Sequence, residues 1–189
     1  MDFIINIDKQ LFYFFNVTLA NPVFDYLMPI LTNQRNWLPI YVALIIFIII
    51  KYRKNGWYIL FAIFLAASLG DYINSSIIKE IVGRLRPCAT LADIHLLVAC
   101  GPGKSFMSSH AVNNFSLAYV LSFYFKENKW IFYTLASLVA YSRIAVGVHY
   151  PLDVIGGAVL GLGFGYISIK ITIWTGNYFA ERKKKTKKF

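Results

Sequence analysis

The apolar positions of this chain do not alternate with polar ones at a strand or a helix period; they run on almost unbroken. "WLPIYVALIIFIII" (37–50), "WYILFAIFLAASLGDYINSSII" (57–78), "WIFYTLASLVAYSRIAVGV" (130–148) and "VIGGAVLGLGFGYISIKITIW" (154–174) approach or meet the roughly 20 apolar residues that a membrane-spanning helix needs. Two weaker segments join them. Residues 11–32, "LFYFFNVTLANPVFDYLMPILT", read as an interfacial helix that turns at Asn21-Pro22 into a span, and residues 106–125, "FMSSHAVNNFSLAYVLSFYF", start polar and become apolar. Together they predict an all-α bundle of six transmembrane helices in a single unit over residues 1–180, followed by a basic cytoplasmic tail at 181–189. Asp2 and Asp8 stand where a signal peptide would carry basic residues, so no cleavable leader is expected.

Composition sharpens this reading. The chain is 58% hydrophobic with a mean hydropathy of +0.55, well above the roughly 45–50% apolar share of soluble domains. Its net charge of +10 is mostly topological: "KYRKN" (51–55), "KENK" (126–129) and the tail "ERKKKTKK" fall on one side of a six-span bundle, together with both termini. That side is expected to be cytoplasmic, in an inner membrane, which makes a nucleic-acid partner unnecessary. No obligate protein partner is evident. The long segment 79–107 falls on the opposite, exterior side and carries Cys88 and Cys100, for which a disulfide and two free thiols are both open.

Cations on the exterior side are the exceptions that need a reason. "KEIVGRLRP" brings Lys79, Arg84 and Arg86 to the exit of the third span, "SSH" opens the fourth with Ser108, Ser109 and His110, and "SRIAVGVHYPLD" places Arg143, His149 and Asp153 between the fifth and sixth. Lys79, Arg86 and Arg143 at one depth repel one another unless an anion with several oxygens lies between them, and guanidinium forks suit phosphate. Hydroxyls and unpaired N–H groups at the start of the fourth helix extend such a cradle. Asp153, four residues after His149, reaches back to one imidazole nitrogen and leaves the other free as nucleophile or base. His110 on another helix can protonate a leaving oxygen. A site rich in cations and poor in carboxylates is the reverse of a magnesium site, so neither metal nor other cofactor is expected.

Lys79, six residues, then Arg86-Pro87; Ser109-His110; and Ser142-Arg143, five residues, His149, three residues, Asp153: this series resembles the three-part signature of the type 2 phosphatidic acid phosphatase superfamily of membrane lipid phosphatases. The resemblance covers about Asp71 to Gly165. Its first and third parts match in full, while the family's Pro-Ser-Gly-His reads Met107-Ser108-Ser109-His110. It implies that Lys79, Arg86, Ser108, the Ser109 amide and Arg143 bind phosphate. His149 then attacks phosphorus to give a phosphohistidine, Asp153 orients His149, and His110 protonates the leaving group. The expected activity is metal-independent hydrolysis of a phosphomonoester or diphosphate on an envelope lipid. Undecaprenyl diphosphate, phosphatidylglycerol phosphate and the 1-phosphate of lipid A all fit. The alternatives are a phosphotransferase acting on another lipid and, outside enzymes, a lipid-binding or transport protein.

Other polar residues receive quieter readings. Arg84 lies outside the signature and is expected to snorkel to the interface. His95 is left in the outer loop without a partner. Asp71, inside a span, is expected to pair with Asn74, Asn113 or Asn114. Gly157, Gly161 and Gly165 form a small-residue stripe that predicts close helix packing beneath His149 and Asp153.

Overall fold

The computed structural model describes residues 2–186, with side chains described over 2–178. Helix α1 (Asp2–Tyr13) runs on through a π-helical turn (Phe14–Thr18) and stops at Leu19. Asn21 then starts α2 (Pro22–Thr32): its Oδ1 accepts from the Val23 N–H at 3.1 Å and the Phe24 N–H at 3.0 Å, and Pro22 occupies the first turn. Helices α3 (Gln34–Tyr52) and α4 (Gly56–Ile73) make a hairpin through a 3-10 turn at Arg53–Asn55. The α4 rod continues through a π-helical turn (Asn74–Ile78) into α5 (Lys79–Val82), and Gly83, at φ 63°, ends it with a left-handed cap that favours glycine. A one-turn helix α6 (Pro87–Thr90) lies in the long loop. Helices α7 (Ser109–Tyr124), α8 (Lys129–Ala145) and α9 (Pro151–Thr186) complete the chain.

Five rods therefore run side by side, with α3, α7 and α9 leaving one end and α4 and α8 returning to it. At the far end the Tyr52 and Phe125 rings meet at 5.6 Å, which brings the 53–55 and 126–128 turns together. Outward faces carry large apolar side chains: Leu38 is 62% exposed, Ile50 72%, Phe64 69% and Val159 66%. Helices apolar on every face belong in lipid. Two helical stretches, Gln34–Thr90 and Pro151–Tyr178, are long and apolar enough to cross a membrane, the first reversing at Arg53–Asn55. The rods α7 and α8 have 16 and 17 residues and lie among the others.

The glycine stripe packs α9 onto α7. A Cβ on Gly161 would sit 2.4 Å from the Val112 carbonyl oxygen, one on Gly157 2.8 Å from that of Ser108, and one on Gly165 2.6 Å from the Tyr119 Cβ. Only glycine permits this approach. It fixes the start of α9 against the start of α7.

The expected first span does not form. Asn21 and Pro22 break segment 11–32, and α2, with 11 residues, is about 16 Å long at the helical rise, too short to cross. Instead α1 and α2 lie at the end where α7 and α9 begin: Phe12 packs on Tyr150 with ring centroids 5.5 Å apart, and Asp8 accepts from the Leu152 N–H at 2.9 Å. The N-terminal helix and the far end of α9 consequently lie at opposite ends of the bundle, not at the same end. The side chains of the basic tail at 181–189 lie outside the described residues; the α9 backbone continues into it as far as Thr186.

Candidate active site

Three loop-to-helix junctions build the site. His149 lies just before α9 and is 2% exposed, while Asp153, in the first turn of α9, is fully buried. Asp153 Oδ2 is 3.4 Å from His149 Nδ1. The same oxygen accepts the Ser105 hydroxyl and the Tyr150 N–H, the latter at 2.9 Å, while Ser105 Oγ lies 3.4 Å from His149 Nδ1. The imidazole therefore presents its Nε2 away from the carboxylate. Burial pushes the His149 proton affinity down to about 4, against the opposing hydrogen bond and charge of Asp153; Arg143 and Arg86 push it down further. The ring is neutral at physiological pH, as a nucleophile must be.

The expected phosphate binders gather around this pair. Lys79, at the start of α5, senses the charges of Arg86, Arg143 and Asp153, and Arg86 and Arg143 sense each other. Burial lowers the proton affinity of Arg86, opposed by Asp153. Arg86 Nε, Arg143 Nε and Ser108 Oγ are all buried with no hydrogen-bond partner. Ser108 precedes α7 without capping it, and its N–H donates to the Asp153 carbonyl at 3.0 Å. Ser109, which stands where the family has glycine, turns its hydroxyl away: Asn74 Nδ2 donates to it at 3.0 Å and to the Met107 carbonyl at 3.1 Å. The backbone amide of Ser109, in the first turn of α7, is thereby left to the site.

His110 Nε2 lies 3.1 Å from the Thr32 carbonyl, so with Nε2 as the donor Nδ1 is the nitrogen left for proton transfer. The Thr32 hydroxyl accepts from Arg143 Nη1, so the last residue of α2 touches both. A cavity of about 320 Å³ opens beside His110, lined by Thr32, Trp37, Tyr41, Asn113, Asn114 and Leu117 among others. A second cavity, of about 140 Å³, continues it along α3, α7 and α8 and shares Trp37, Tyr41, Asn114 and Leu117.

Several quieter readings need correcting. Arg84 does not snorkel: Nη1 donates to Asp153 Oδ1 at 2.8 Å and Nη2 to Asp8 Oδ2 at 2.6 Å, because two buried carboxylates draw it inward. His95 has a partner, Asp25, at 2.8 Å. The neighbour of Asp71 is the Ser75 hydroxyl at 3.4 Å, one helical turn on, and Asn74 is instead committed to the Met107–Ser109 backbone and hydroxyl. Of the two readings left open for Cys88 and Cys100, the structure has the disulfide, with Cα atoms 5.9 Å apart. Asp8, Thr32 and Ser105 were not legible as site residues. Only the buried placement of Asp8 on a greasy helix gives a signal, and it appears once the helix is folded.

An all-α bundle that ends in a buried His–Asp pair ringed by guanidiniums and hydroxyls defines a phosphate-handling membrane protein. The sequence model described as PAP2 superfamily matches residues 55–176, and the chain belongs to that superfamily. It is 36% identical over 187 residues to a lipid A 4'-phosphatase of Bacteroides thetaiotaomicron, covering 91% of this chain and 81% of that one. Among solved structures it is similar to Aquifex aeolicus LpxE, with TM-score 0.73 and 31% identity over 86% of this chain and 94% of that one. It is also similar to a transmembrane PAP2 type phosphatidylglycerolphosphate phosphatase from Bacillus subtilis, with TM-score 0.66 and 25% identity over 90% and 87%. The chain is a membrane lipid phosphatase, a hydrolase.

Proposed function

We propose that the protein removes a phosphate from an acylated sugar lipid of the lipid A type, at the exterior face of the cytoplasmic membrane, through a phosphohistidine on His149. The observation that carries the chemistry is the set of buried donors without partners, Arg86 Nε, Arg143 Nε and Ser108 Oγ, around a neutral buried histidine. Desolvated donors of this kind are costly unless an anion takes them, and a phosphate offers an oxygen to each. The substrate class rests on the lipid A 4'-phosphatase relative, which matches nearly the whole chain.

His149 Nε2 attacks phosphorus, the bond from phosphorus to the lipid oxygen breaks, and its electron pair goes to that oxygen, which takes the Nδ1 proton of His110, an imidazolium while the phosphate anion is bound. Water then attacks the phosphohistidine, giving its proton back to His110, and the P–N bond breaks to release inorganic phosphate and restore His149. Lys79, Arg86 and Arg143 hold the charge that develops on the phosphoryl oxygens. The cleft beside His110 lies where the leaving lipid departs and fits an amphiphile with polar groups near the phosphate and hydrocarbon beyond.

In this reading the N-terminal helix and the site share the exterior end of the bundle. The "KYRKN" and "KENK" turns lie together at the opposite end, with exposed Trp57 and Trp130 beside them, a cytoplasmic and interfacial pattern. The disulfide supports an oxidising compartment for the site.

The test is phosphate release by purified protein from lipid A, undecaprenyl diphosphate and phosphatidylglycerol phosphate, with and without chelator. Fastest release from lipid A, unchanged by chelator and lost by several orders of magnitude in His149→Ala, is expected. Fastest release from undecaprenyl diphosphate overturns the substrate class alone. Transfer of the phosphoryl group to a second lipid without free phosphate overturns hydrolysis as the physiological outcome.

A further inference from the structure

We propose that Asp8 and Arg84 form a positioning pair for the His149–Asp153 dyad: the N-terminal helix supplies a second carboxylate that shares Arg84 with Asp153 and so sets how strongly Asp153 holds His149. This rests on His149 acting as the nucleophile.

The geometry is unusually closed. The Asp8 side chain is fully buried, which is costly for a carboxylate unless it is paired. Its Oδ2 takes Arg84 Nη2 at 2.6 Å and its Oδ1 takes the Leu152 N–H at 2.9 Å, in the turn that leads into Asp153. The other terminal nitrogen of the same guanidinium donates to Asp153 Oδ1 at 2.8 Å. One cation thus serves two anions. Beneath it the Tyr150 ring lies 3.8 Å from the guanidinium carbon, and Phe12 of α1 packs on that ring. The backbone carbonyl of Arg84 accepts the Ser105 N–H at 2.7 Å, and the Ser105 hydroxyl donates to the Asp153 oxygen that faces His149. Arg84 therefore fixes both the charge on Asp153 and the hydroxyl beside the imidazole.

The charged and titratable groups facing the dyad are Arg86 and Arg84 from the long loop, Arg143 from α8, His110 from α7, Lys79 from α5, Asp8 from α1 and Tyr150 from the turn before α9. Of these cations Arg84 donates to Asp153. With Asp8 present, the positive charge of Arg84 is divided, and Asp153 keeps enough negative charge to hold the imidazolium-like transition state. Remove Asp8 and Arg84 weighs on Asp153 alone. Remove Arg84 and Asp153 is left more basic. The two substitutions must therefore move the acid limb of the reaction in opposite directions.

The experiment records kcat/KM against pH for the full-length protein in detergent with p-nitrophenyl phosphate, whose own ionisation is common to every variant. Asp8→Asn is expected to lower the acid-limb midpoint by about half a pH unit and kcat by about tenfold, with KM little changed. Arg84→Gln is expected to raise the midpoint by about one unit, and adding Asp8→Asn to it should then have no further effect on the midpoint. Asp8→Glu should restore most of the wild-type profile. If Arg84→Gln fails to fold, Arg84→Lys, which keeps the charge but reaches one carboxylate, takes its place; a midpoint displaced from the wild type, downward if the lysine keeps Asp153 and upward if it keeps Asp8, supports the pair, and one coincident with the wild type refutes it. Midpoints that stay put, or that move the same way in Asp8→Asn and Arg84→Gln while the melting temperature falls, reduce the pair to scaffolding. Loss of turnover in His149→Ala alongside unmoved midpoints sinks the pair alone, whereas retained turnover in His149→Ala removes the nucleophile assignment and the pair with it.

Discussion

Substituting alanine at Gly161 and at Gly163 makes the same chemical change two residues apart on one helix, with opposite expected outcomes. At Gly163 a Cβ meets nothing within 4 Å, so Gly163→Ala gains helix propensity of about 1 kcal/mol and touches nothing. At Gly161 the Cβ would lie 2.4 Å from the Val112 carbonyl oxygen and 3.1 Å from both the Phe115 Cβ and the Ser116 nitrogen, all fixed parts of α7. Ordinary contact there begins near 3.4 Å, so α9 must retreat from α7 by about 1 Å, an overpacking cost of about 1–3 kcal/mol. The retreat separates His149 and Asp153, at the head of α9, from Ser108 and His110, at the head of α7. A misplacement of that size costs a rate factor of about 100. Phosphate release and thermal melting in detergent should show Gly161→Ala slow and destabilised beside an unaltered or firmer Gly163→Ala. Equal activity and stability in the two variants would refute the close-packing account and free the catalytic heads from the glycine stripe.

Three further outcomes are expected. In a Cys88→Ser/Cys100→Ser background and intact cells, an impermeant maleimide should label cysteines placed at Lys104 and at Asp2 but not one placed at Asn128; protection of the first two with labelling of the third would invert the orientation. Leu117→Trp, which fills the space shared by both cavities, should lower kcat/KM for a long-chain acylated substrate about tenfold more than for p-nitrophenyl phosphate, and equal losses would remove the cleft from substrate binding. NMR of ring-labelled histidine in micelles should place the His149 midpoint near 4 in the unliganded protein. Its folded-state proton affinity lies below the ordinary value, so the proposed nucleophile stays neutral as pH falls through 6.5 and is lost only towards 4. A midpoint near 6.5 would mean that the ring is far more hydrated than its burial implies.

The parts of the site that follow from local spacing were legible in the chain: Asp153, in the first turn of α9, reaches back four residues to His149, and the stripe of Gly157, Gly161 and Gly165 shares a face. Those that depend on long-range closure were not. Asp8 and Arg84 meet across 76 residues and Arg143 meets Thr32 across 111, and no periodicity encodes such a contact. The six-span count failed at one place for a local reason. Hydropathy alone does not register that Asn21 caps a new helix and Pro22 starts it, so segment 11–32 reads as one crossing when it is two short pieces at the bundle end. Arg84 was misjudged because an arginine beside an interface usually has water within reach, and its two buried partners come from the first and last helices.

The hydrogen bond from Leu152 to Asp8 joins residues 144 positions apart, the first helix to the start of the last. During synthesis Asp8 is made first, and every intervening rod precedes the backbone N–H that it accepts. Only when the last helix threads in does the backbone that satisfies it arrive, along with His149 and Asp153. A chain that stops short of the last helix thus holds Lys79, Arg86 and Arg143 but neither the His149–Asp153 pair nor the backbone that anchors Asp8, so the proposed chemistry waits on the last helix.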